Sequence, residues 1–260
     1  MNKKTLTYFI LIIVAAVLCV TVYIVPMPIF GDEEKNSLIK DLILRTIILI
    51  LIFTLATRSG YIEIFSVFPI KKSAALPIVG AFAVAIVNFP FYSILVGDAV
   101  IDDLSFLPLV AVYCIVVAFE EEAFFRGIVY DIIETKVKDK RNAIFRRVII
   151  SAAVFSLFHL FNFFNGAGVV DTLLQIGYTF LLGCLFATVK EASGNIYFGI
   201  ASHTIFNFGG NVIRYAGKGE FFTIQLILPT IIIGVIVGVI CILTLLELNS
   251  VKDKNYLQES

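Results

Sequence analysis

The chain has 260 residues, of which 59% are hydrophobic and only 15% are charged, and its mean hydropathy is +0.97. A soluble domain usually carries about 25% charged residues, and a 28.8 kDa globule is too small to hide this much apolar surface from water. Twenty basic residues balance twenty acidic ones, so no net field attracts nucleic acid. The composition excludes a disordered chain, a soluble enzyme and a secreted module. It predicts an all-α, polytopic membrane protein surrounded by membrane lipids.

Eight apolar segments are long enough to cross a membrane, since a crossing helix needs about 20 residues. The first segment follows Lys3 and Lys4 and exceeds the apolar region of a signal peptide, so we interpret it as a retained span. The second is short, carries Arg45 and reaches full length only with residues 38–41. The spans are predicted at residues 6–26, 42–57, 74–97, 105–130, 147–164, 169–189, 195–213 and 223–247.

Loop charges set the predicted orientation. With the N-terminus in the cytoplasm, fourteen basic residues fall on the cytoplasmic side and four on the other, namely Lys35, Lys40, Arg214 and Lys218. This asymmetry fits a multi-pass protein of the cell membrane with both termini cytoplasmic. No linker or repeat divides the chain, so residues 1–260 are predicted to form one integral-membrane domain. The polar end from Asn249 to Ser260 is interpreted as a solvated tail.

The fourth predicted span contains four charged side chains, although a charge at the centre of a membrane helix costs about 2.5–3.5 kcal/mol. Glu122 and Arg126 are four residues apart with the acid first, so they share a helix face and are expected to pair. Glu121 is turned about 100° from Glu122 and lies about 15 Å from the cytoplasmic end, counted from Asp131. In the alternative interpretation, Glu120 and Glu121 sit at the membrane interface and reach water, but a glutamate at that depth is too short to do so easily.

Both histidines of the chain also lie inside predicted spans. His203 precedes Asn207 by four residues, so the two side chains share one face of the seventh span. Counted from the cytoplasmic ends of their spans, His159 lies about 18 Å deep and His203 about 12 Å deep, on either side of the depth of Glu121. A lone histidine in a membrane helix is often only a packing residue. The common depth of these side chains nevertheless predicts one polar intramembrane cavity.

These side chains suit hydrolysis of an amide bond without a covalent intermediate. A carboxylate and a neutral imidazole that face one water share its proton and make the water nucleophilic. A second histidine with an asparagine amide, here His203 and Asn207, supplies hydrogen-bond donors for the oxyanion. Zinc is the open alternative, with Glu121, His159 and His203 as ligands. The HExxH spacing is absent, so no cofactor is expected.

Three motifs in chain order resemble those of the CPBP family, which includes type II CAAX prenyl endopeptidases and bacterial Abi proteins. Residues 121–127, Glu-Glu-Ala-Phe-Phe-Arg-Gly, match the EExxxR motif of that family. Residues 155–159 match its FxxxH motif, and residues 203–207 match its HxxxN/D motif. The resemblance covers about residues 105–213, which we therefore expect to be the catalytic core.

The resemblance implies an all-helical intramembrane endopeptidase with eight spans. In the family pattern a glutamate and a histidine activate water, a histidine and an asparagine stabilise the oxyanion, and an ion pair supports the site. The corresponding residues here are Glu121 and His159, His203 and Asn207, and Glu122 and Arg126. The family is often labelled as metalloproteases, although its better-understood members look like glutamate proteases that need no metal. Glu120 is an acid beyond the two that the motif contains.

The expected substrate is a small membrane-associated peptide or protein tail reached from the cytoplasmic side. The resemblance implies bacteriocin maturation or self-immunity as a role, whereas nothing in the residues argues for prenylated tails. The alternative is a non-catalytic scaffold or regulator of a signalling or immunity partner in the membrane, since some relatives act without catalysis. A proton-coupled transporter would also use intramembrane glutamate and histidine, but the chain shows no internal duplication of the kind such folds carry.

Overall fold

The computed structural model describes residues 13–14, 16–18, 20–22, 24–59, 63, 65–67, 69, 72–137, 142–164, 167–219 and 224–259. Most of these residues are helical, which confirms the all-α prediction, and the strands among them form one short antiparallel pair. The predicted first span, residues 6–26, lies partly outside the described residues, which include only 13–14, 16–18, 20–22 and 24–26 of it.

The elements follow one another with short connections, and two irregular helical turns are inserted among them. A 3₁₀ turn spans Lys72–Ala74, and a π-helical turn spans Ala123–Val129. In chain order the elements are α1 (Glu33–Ser59), α2 (Ala75–Val87), α3 (Phe91–Val96), β1 (Ala99–Ile101), α4 (Leu107–Glu122), α5 (Tyr130–Val137), α6 (Ala143–Phe158), α7 (Phe161–Phe164), α8 (Val169–Ser193), α9 (Tyr197–Ala216), β2 (Gly217–Gly219) and α10 (Ile224–Glu259).

Within the described part of the chain, four helical stretches are long and apolar enough to cross a membrane. They correspond to the predicted spans 74–97, 147–164, 169–189 and 223–247. Large apolar side chains on these stretches are exposed, as expected for surfaces that face lipid. A membrane protein with transmembrane helices is therefore confirmed, and the count of eight stays a prediction. The four stretches are Ala75–Val96, Ala143–Phe163, Val169–Ser193 and Leu228–Val251.

The chain divides into two compact units. The first comprises residues 1–63, 85–121 and 203–227, and the second comprises residues 64–84, 122–202 and 228–260. The core of the first unit joins α1, α4 and the end of α9 through Leu38, Phe106, Val110, Cys114, Tyr215 and Ala216. The core of the second unit joins α5, α6, α8 and α10 through Tyr130, Ile144, Val148, Ala187 and Leu245.

In the first unit, α1 and α4 lie side by side and run in the same direction. Lys35 near the start of α1 pairs with Asp103, just before α4, and Arg45 further along α1 pairs with Glu120 near the end of α4. Helix α1 begins at Glu33, nine residues before the predicted span at 42–57. The extra turns allow polar residues of α1 to reach partners along most of α4.

In the first unit β1 pairs antiparallel to β2, with Ala99 opposite Gly219 and Ile101 opposite Gly217. A Cβ atom on Gly217 would lie 2.4 Å from the carbonyl oxygen of Val100, so no other residue fits there without moving the backbone. Gly219 also has a φ of +104°, which glycine adopts readily. The sequence analysis predicted no strand, since three residues are too few to show an alternating pattern.

In the second unit, α6 and α8 approach closely at Gly183. A Cβ atom on Gly183 would lie 3.0 Å from both Cα and Cβ of Ala152 and 3.3 Å from the ring of Phe155. Gly177, one and a half turns earlier in α8, is exposed, and a Cβ atom there would meet nothing within 4 Å. The glycine at 183 therefore sets the distance between the two helices, and it fixes the position of Phe155 within this unit.

The C-terminal helix α10 corrects the interpretation of Asn249 as part of a solvated tail. The helix continues to Glu259, and Asn249 is only 5% exposed. The Asn249 side-chain oxygen accepts hydrogen bonds from the backbone N–H groups of Ile144 at 3.1 Å and Phe145 at 3.4 Å. These N–H groups have no partner within their own helix, so Asn249 caps the start of α6.

Candidate active site

The three consecutive glutamates stand at the junction of α4 and a π-helical turn. Helix α4 ends at Glu122, and the backbone N–H of Tyr130 then donates to the carbonyl of Phe125, five residues earlier. A π turn inserts one residue into a helix, which changes the faces on which later side chains lie, and such turns are frequent at functional sites. The sequence pattern predicted one regular helix over residues 105–130, so this turn is a new feature.

Arg45 of α1 contacts two of the glutamates in the first unit. One guanidinium nitrogen, Nη1, donates to Oε2 of Glu120 at 2.6 Å and to Oε1 of Glu121 at 3.2 Å. Nε of the same guanidinium lies 3.6 Å from Oδ1 of Asp41, one turn earlier in α1. The hydroxyl of Tyr113 in turn donates to Oδ2 of Asp41 at 2.7 Å.

Sequence reasoning missed this role of Arg45. The residue was noted only as a charge inside a short span. The available signal was the free-energy cost of a charge in a membrane helix, because an arginine there needs an acidic partner or a route to water. Spacing along the chain gave no indication of that partner, since 75 residues separate Arg45 from Glu120.

The structure brings Glu121 and His203 together in the first unit. Oε2 of Glu121 lies 3.7 Å from Nε2 of His203. The residues are 9% and 4% exposed, respectively. At this separation a single oxygen atom beside the pair would lie about 2.8 Å from both groups, the usual length of a hydrogen bond. The arrangement suits a water or a carbonyl oxygen held between a carboxylate and an imidazole.

Asn207 lies one turn after His203 on α9, as its spacing predicts. His203 is buried, whereas Asn207 is half-buried. The backbone carbonyl of Asn207 accepts a hydrogen bond from the side-chain amide of Asn211 at 2.7 Å, which ties this turn of α9 together. An imidazole and a primary amide on one helix face supply two hydrogen-bond donors in the same direction.

Glu122 and Arg126 form the expected ion pair in the second unit. Nη1 of Arg126 lies 3.1 Å from Oε1 of Glu122, and the two side chains are 0% and 1% exposed. The guanidinium carbon stands 4.3 Å from the ring centre of Phe155 and 5.6 Å from that of Phe186. A Cβ atom on Gly199 would lie 3.2 Å from Oε2 of Glu122, so the absence of a side chain there makes room for the carboxylate.

His159 of the second unit follows the last residue of α6 directly. Its Nδ1 lies 3.1 Å from the carbonyl oxygen of Phe155, and the two rings meet edge to face at 5.1 Å. A hydrogen bond to a carbonyl requires the proton on Nδ1, so Nε2 of the neutral ring carries the lone pair. In this tautomer Nε2 of His159 can accept a proton, as a general base must. The single cavity predicted for Glu121, His159 and His203 together stays a prediction.

The zinc alternative, with Glu121, His159 and His203 as ligands, stays a prediction. Over the part of the chain that the structure describes, no three side chains of His, Cys, Asp or Glu form a group that could hold an ion. Oε1 of Glu121 lies against the Arg45 guanidinium at 3.2 Å. A cation already bound to the carboxylate opposes a second cation on the same group.

A family model described as "Type II CAAX prenyl endopeptidase Rce1-like" matches residues 103–209. The matched segment contains all three motifs and runs from the loop before α4 to the middle of α9. No curated protein and no solved structure matches the chain.

Proposed function

This chain belongs to the CPBP family of CAAX proteases through its Rce1-like residues 103–209, and from that premise we propose that it is an intramembrane endopeptidase of the glutamate type. The single observation that carries the proposal is the 3.7 Å approach of Glu121 Oε2 to His203 Nε2 in a nearly buried setting. A carboxylate, an imidazole and an adjacent amide are the groups that hydrolysis by an activated water needs.

In the proposed mechanism, Glu121 accepts a proton from a water while the water oxygen bonds to the carbonyl carbon of the substrate. The carbonyl oxygen becomes an oxyanion, which His203 and Asn207 stabilise as hydrogen-bond donors. The C–N bond then breaks, and the proton held by Glu121 passes to the leaving amine nitrogen. No step passes through a metal.

His159 is proposed as a second base for the water. Its support is the match of residues 155–159 to the FxxxH motif and the lone pair on Nε2 that follows from the contact of Nδ1 with the Phe155 carbonyl. Glu122 and Arg126 are proposed to hold the backbone that follows Glu121, since both are buried and lie at the π turn.

The proposed substrate is a small peptide or protein tail at the cytoplasmic face of the cell membrane, in bacteriocin maturation or self-immunity. The proposal includes eight spans with both termini in the cytoplasm. Its support is the excess of basic residues in the predicted cytoplasmic loops and the four apolar helical stretches that lie at predicted spans.

The experiment compares newly formed peptide N-termini in host membranes that contain the wild-type protein, Glu121→Gln or Glu33→Gln. Glu33 is an exposed glutamate at the start of α1 and serves as the matched control. Cleavages made by the wild type and by Glu33→Gln but lost in Glu121→Gln support the proposal. Equal cleavage by all three proteins refutes it, and an immunity or signalling phenotype that survives in Glu121→Gln would then identify a scaffold.

A further inference from the structure

We propose that Arg45 is a positioning residue for the catalytic carboxylate: it holds one oxygen of Glu121 so that the other oxygen faces His203. This inference rests on the proposed function, in which Glu121 is the base. Arg45 stands between Leu44 and Thr46 in a stretch of α1 that is otherwise apolar from Leu42 to Phe53 except for Thr46. A guanidinium in an apolar membrane helix is costly to insert, so it needs an acidic partner or a route to water.

The Arg45 guanidinium is fixed by Glu120. The Nη1 contact is 2.6 Å to Glu120 and 3.2 Å to Glu121, so the hydrogen bond to Glu120 is the shorter of the two. Charge-assisted hydrogen bonds of this length are roughly twice as strong as neutral ones. Glu120, which is not part of the EExxxR motif, therefore anchors the guanidinium beside Glu121.

The other end of the guanidinium is fixed on α1 itself. Nε lies 3.6 Å from Asp41, and Asp41 accepts the hydrogen bond from Tyr113 of α4. The guanidinium is therefore held between α1 and α4 on both sides. Because the guanidinium is planar and is held at two edges, its remaining N–H groups point in fixed directions.

The result for Glu121 is that its two oxygens differ. Oε1 contacts Arg45 at 3.2 Å, and Oε2 lies 3.7 Å from His203. A glutamate side chain in isolation samples several rotamers, whereas a carboxylate held at one oxygen keeps the second oxygen directed at one place. That place is beside the imidazole, where the reacting water is proposed to bind.

The charges of this cluster give Arg45 a second effect. The groups that face Arg45 and Glu121 are the carboxylates of Asp41 and Glu120, the hydroxyl of Tyr113 and the imidazole of His203. Tyr215 adds a further hydroxyl, on the ring that meets Tyr113 at 6.0 Å. Three carboxylates share one guanidinium, so its removal leaves like charges close together, and the carboxylates then repel one another.

The test measures kcat and KM at neutral pH for the purified protein in lipid nanodiscs, with a synthetic peptide that spans a cleavage site found by the N-terminal mapping. The variants are Arg45→Met, which removes the charge, and Arg45→Lys, which keeps the charge without the planar group. Lys40→Met removes another cation from the same helix and is the matched control.

For Arg45→Met we expect kcat to fall about ten- to a hundredfold at neutral pH with KM within twofold of wild type, as for a misplaced catalytic group. Arg45→Lys is expected to lower kcat by less, about tenfold, and Lys40→Met is expected to match the wild type.

An unchanged kcat in Arg45→Met, while Glu121→Gln abolishes cleavage, would overturn this inference and leave the proposed function standing. Cleavage that survives in Glu121→Gln would overturn both. If Arg45→Met does not fold, as judged by thermal unfolding, the kcat of Arg45→Lys becomes the test. A wild-type kcat in that variant would refute the positioning role.

Discussion

Replacing Arg126 by methionine is expected to destabilise the protein by about 3–5 kcal/mol at neutral pH, because it leaves the charge of Glu122 buried without this cation. The contact between the two side chains is 3.1 Å, and neither is more than 1% exposed. The substitution also removes the stacking of the guanidinium on the Phe155 ring at 4.3 Å, an interaction worth up to about 2 kcal/mol when desolvated. Glu122→Leu is expected to cost a similar amount, since it leaves the cation without its carboxylate.

The double variant Glu122→Leu/Arg126→Met distinguishes an ion pair from two independent contacts. With both charges removed, the loss is expected to be smaller than in either single variant, so the coupling is expected to exceed the loss of one single variant and to be at least about 3 kcal/mol. Thermal unfolding in detergent micelles measures this, and each single variant is expected to lower Tm by about 6 °C or more. Lys136→Met, on the exposed side of α5, is the control and is expected to change stability by less than about 0.5 kcal/mol. Additive losses, or single variants within about 1 kcal/mol of wild type, would refute the reasoning.

Three further predictions concern the scaffold of the site. Gly183→Ala is expected to cost about 1–3 kcal/mol in thermal unfolding because its methyl group meets the backbone of α6, whereas Gly177→Ala on the same helix is expected to be neutral or stabilising; equal effects would contradict the packing argument. Asn249→Ala is expected to lower stability by about 1–2 kcal/mol and to increase amide exchange at the first turn of α6, and unchanged exchange there would show that the cap is not needed. Hydrogen bonding from Lys35 and Ser105 lowers the pKa of Asp103 to about 2, so the Tm advantage of wild type over Asp103→Asn should be fully present above about pH 4 and disappear as the pH falls towards 2. A difference that persists at pH 2 would contradict this assignment.

Local features of the fold were predictable from the sequence. The apolar runs that indicate spans depend on composition over about 20 residues, and four of them coincide with long apolar helices. The Glu122–Arg126 pair depends only on a spacing of four residues within one helix. The same spacing puts Asn207 one turn after His203 on α9.

Contacts between distant parts of the chain were not predictable from one sequence. Arg45 and Asn249 were assigned to a short span and a solvated tail, yet each one hydrogen-bonds to groups more than 70 residues away. No local pattern carries that information, because many acids or helix termini could serve as the partner. The π turn after Glu122 was missed for a related reason, since a one-residue insertion leaves no mark on an almost uniformly apolar segment.

The function of Glu121 is the central claim, and the most direct test is peptide cleavage by the purified protein in lipid nanodiscs, with and without a metal chelator. Wild type and Glu33→Gln are expected to cleave at equal rates, and chelation is expected to leave both rates unchanged. Glu121→Gln is expected to be at least about a hundredfold slower, because its amide accepts no proton from water, while its Tm stays close to that of wild type. Cleavage by Glu121→Gln at the wild-type rate, or complete loss of wild-type activity on chelation with recovery on adding zinc, would contradict this claim.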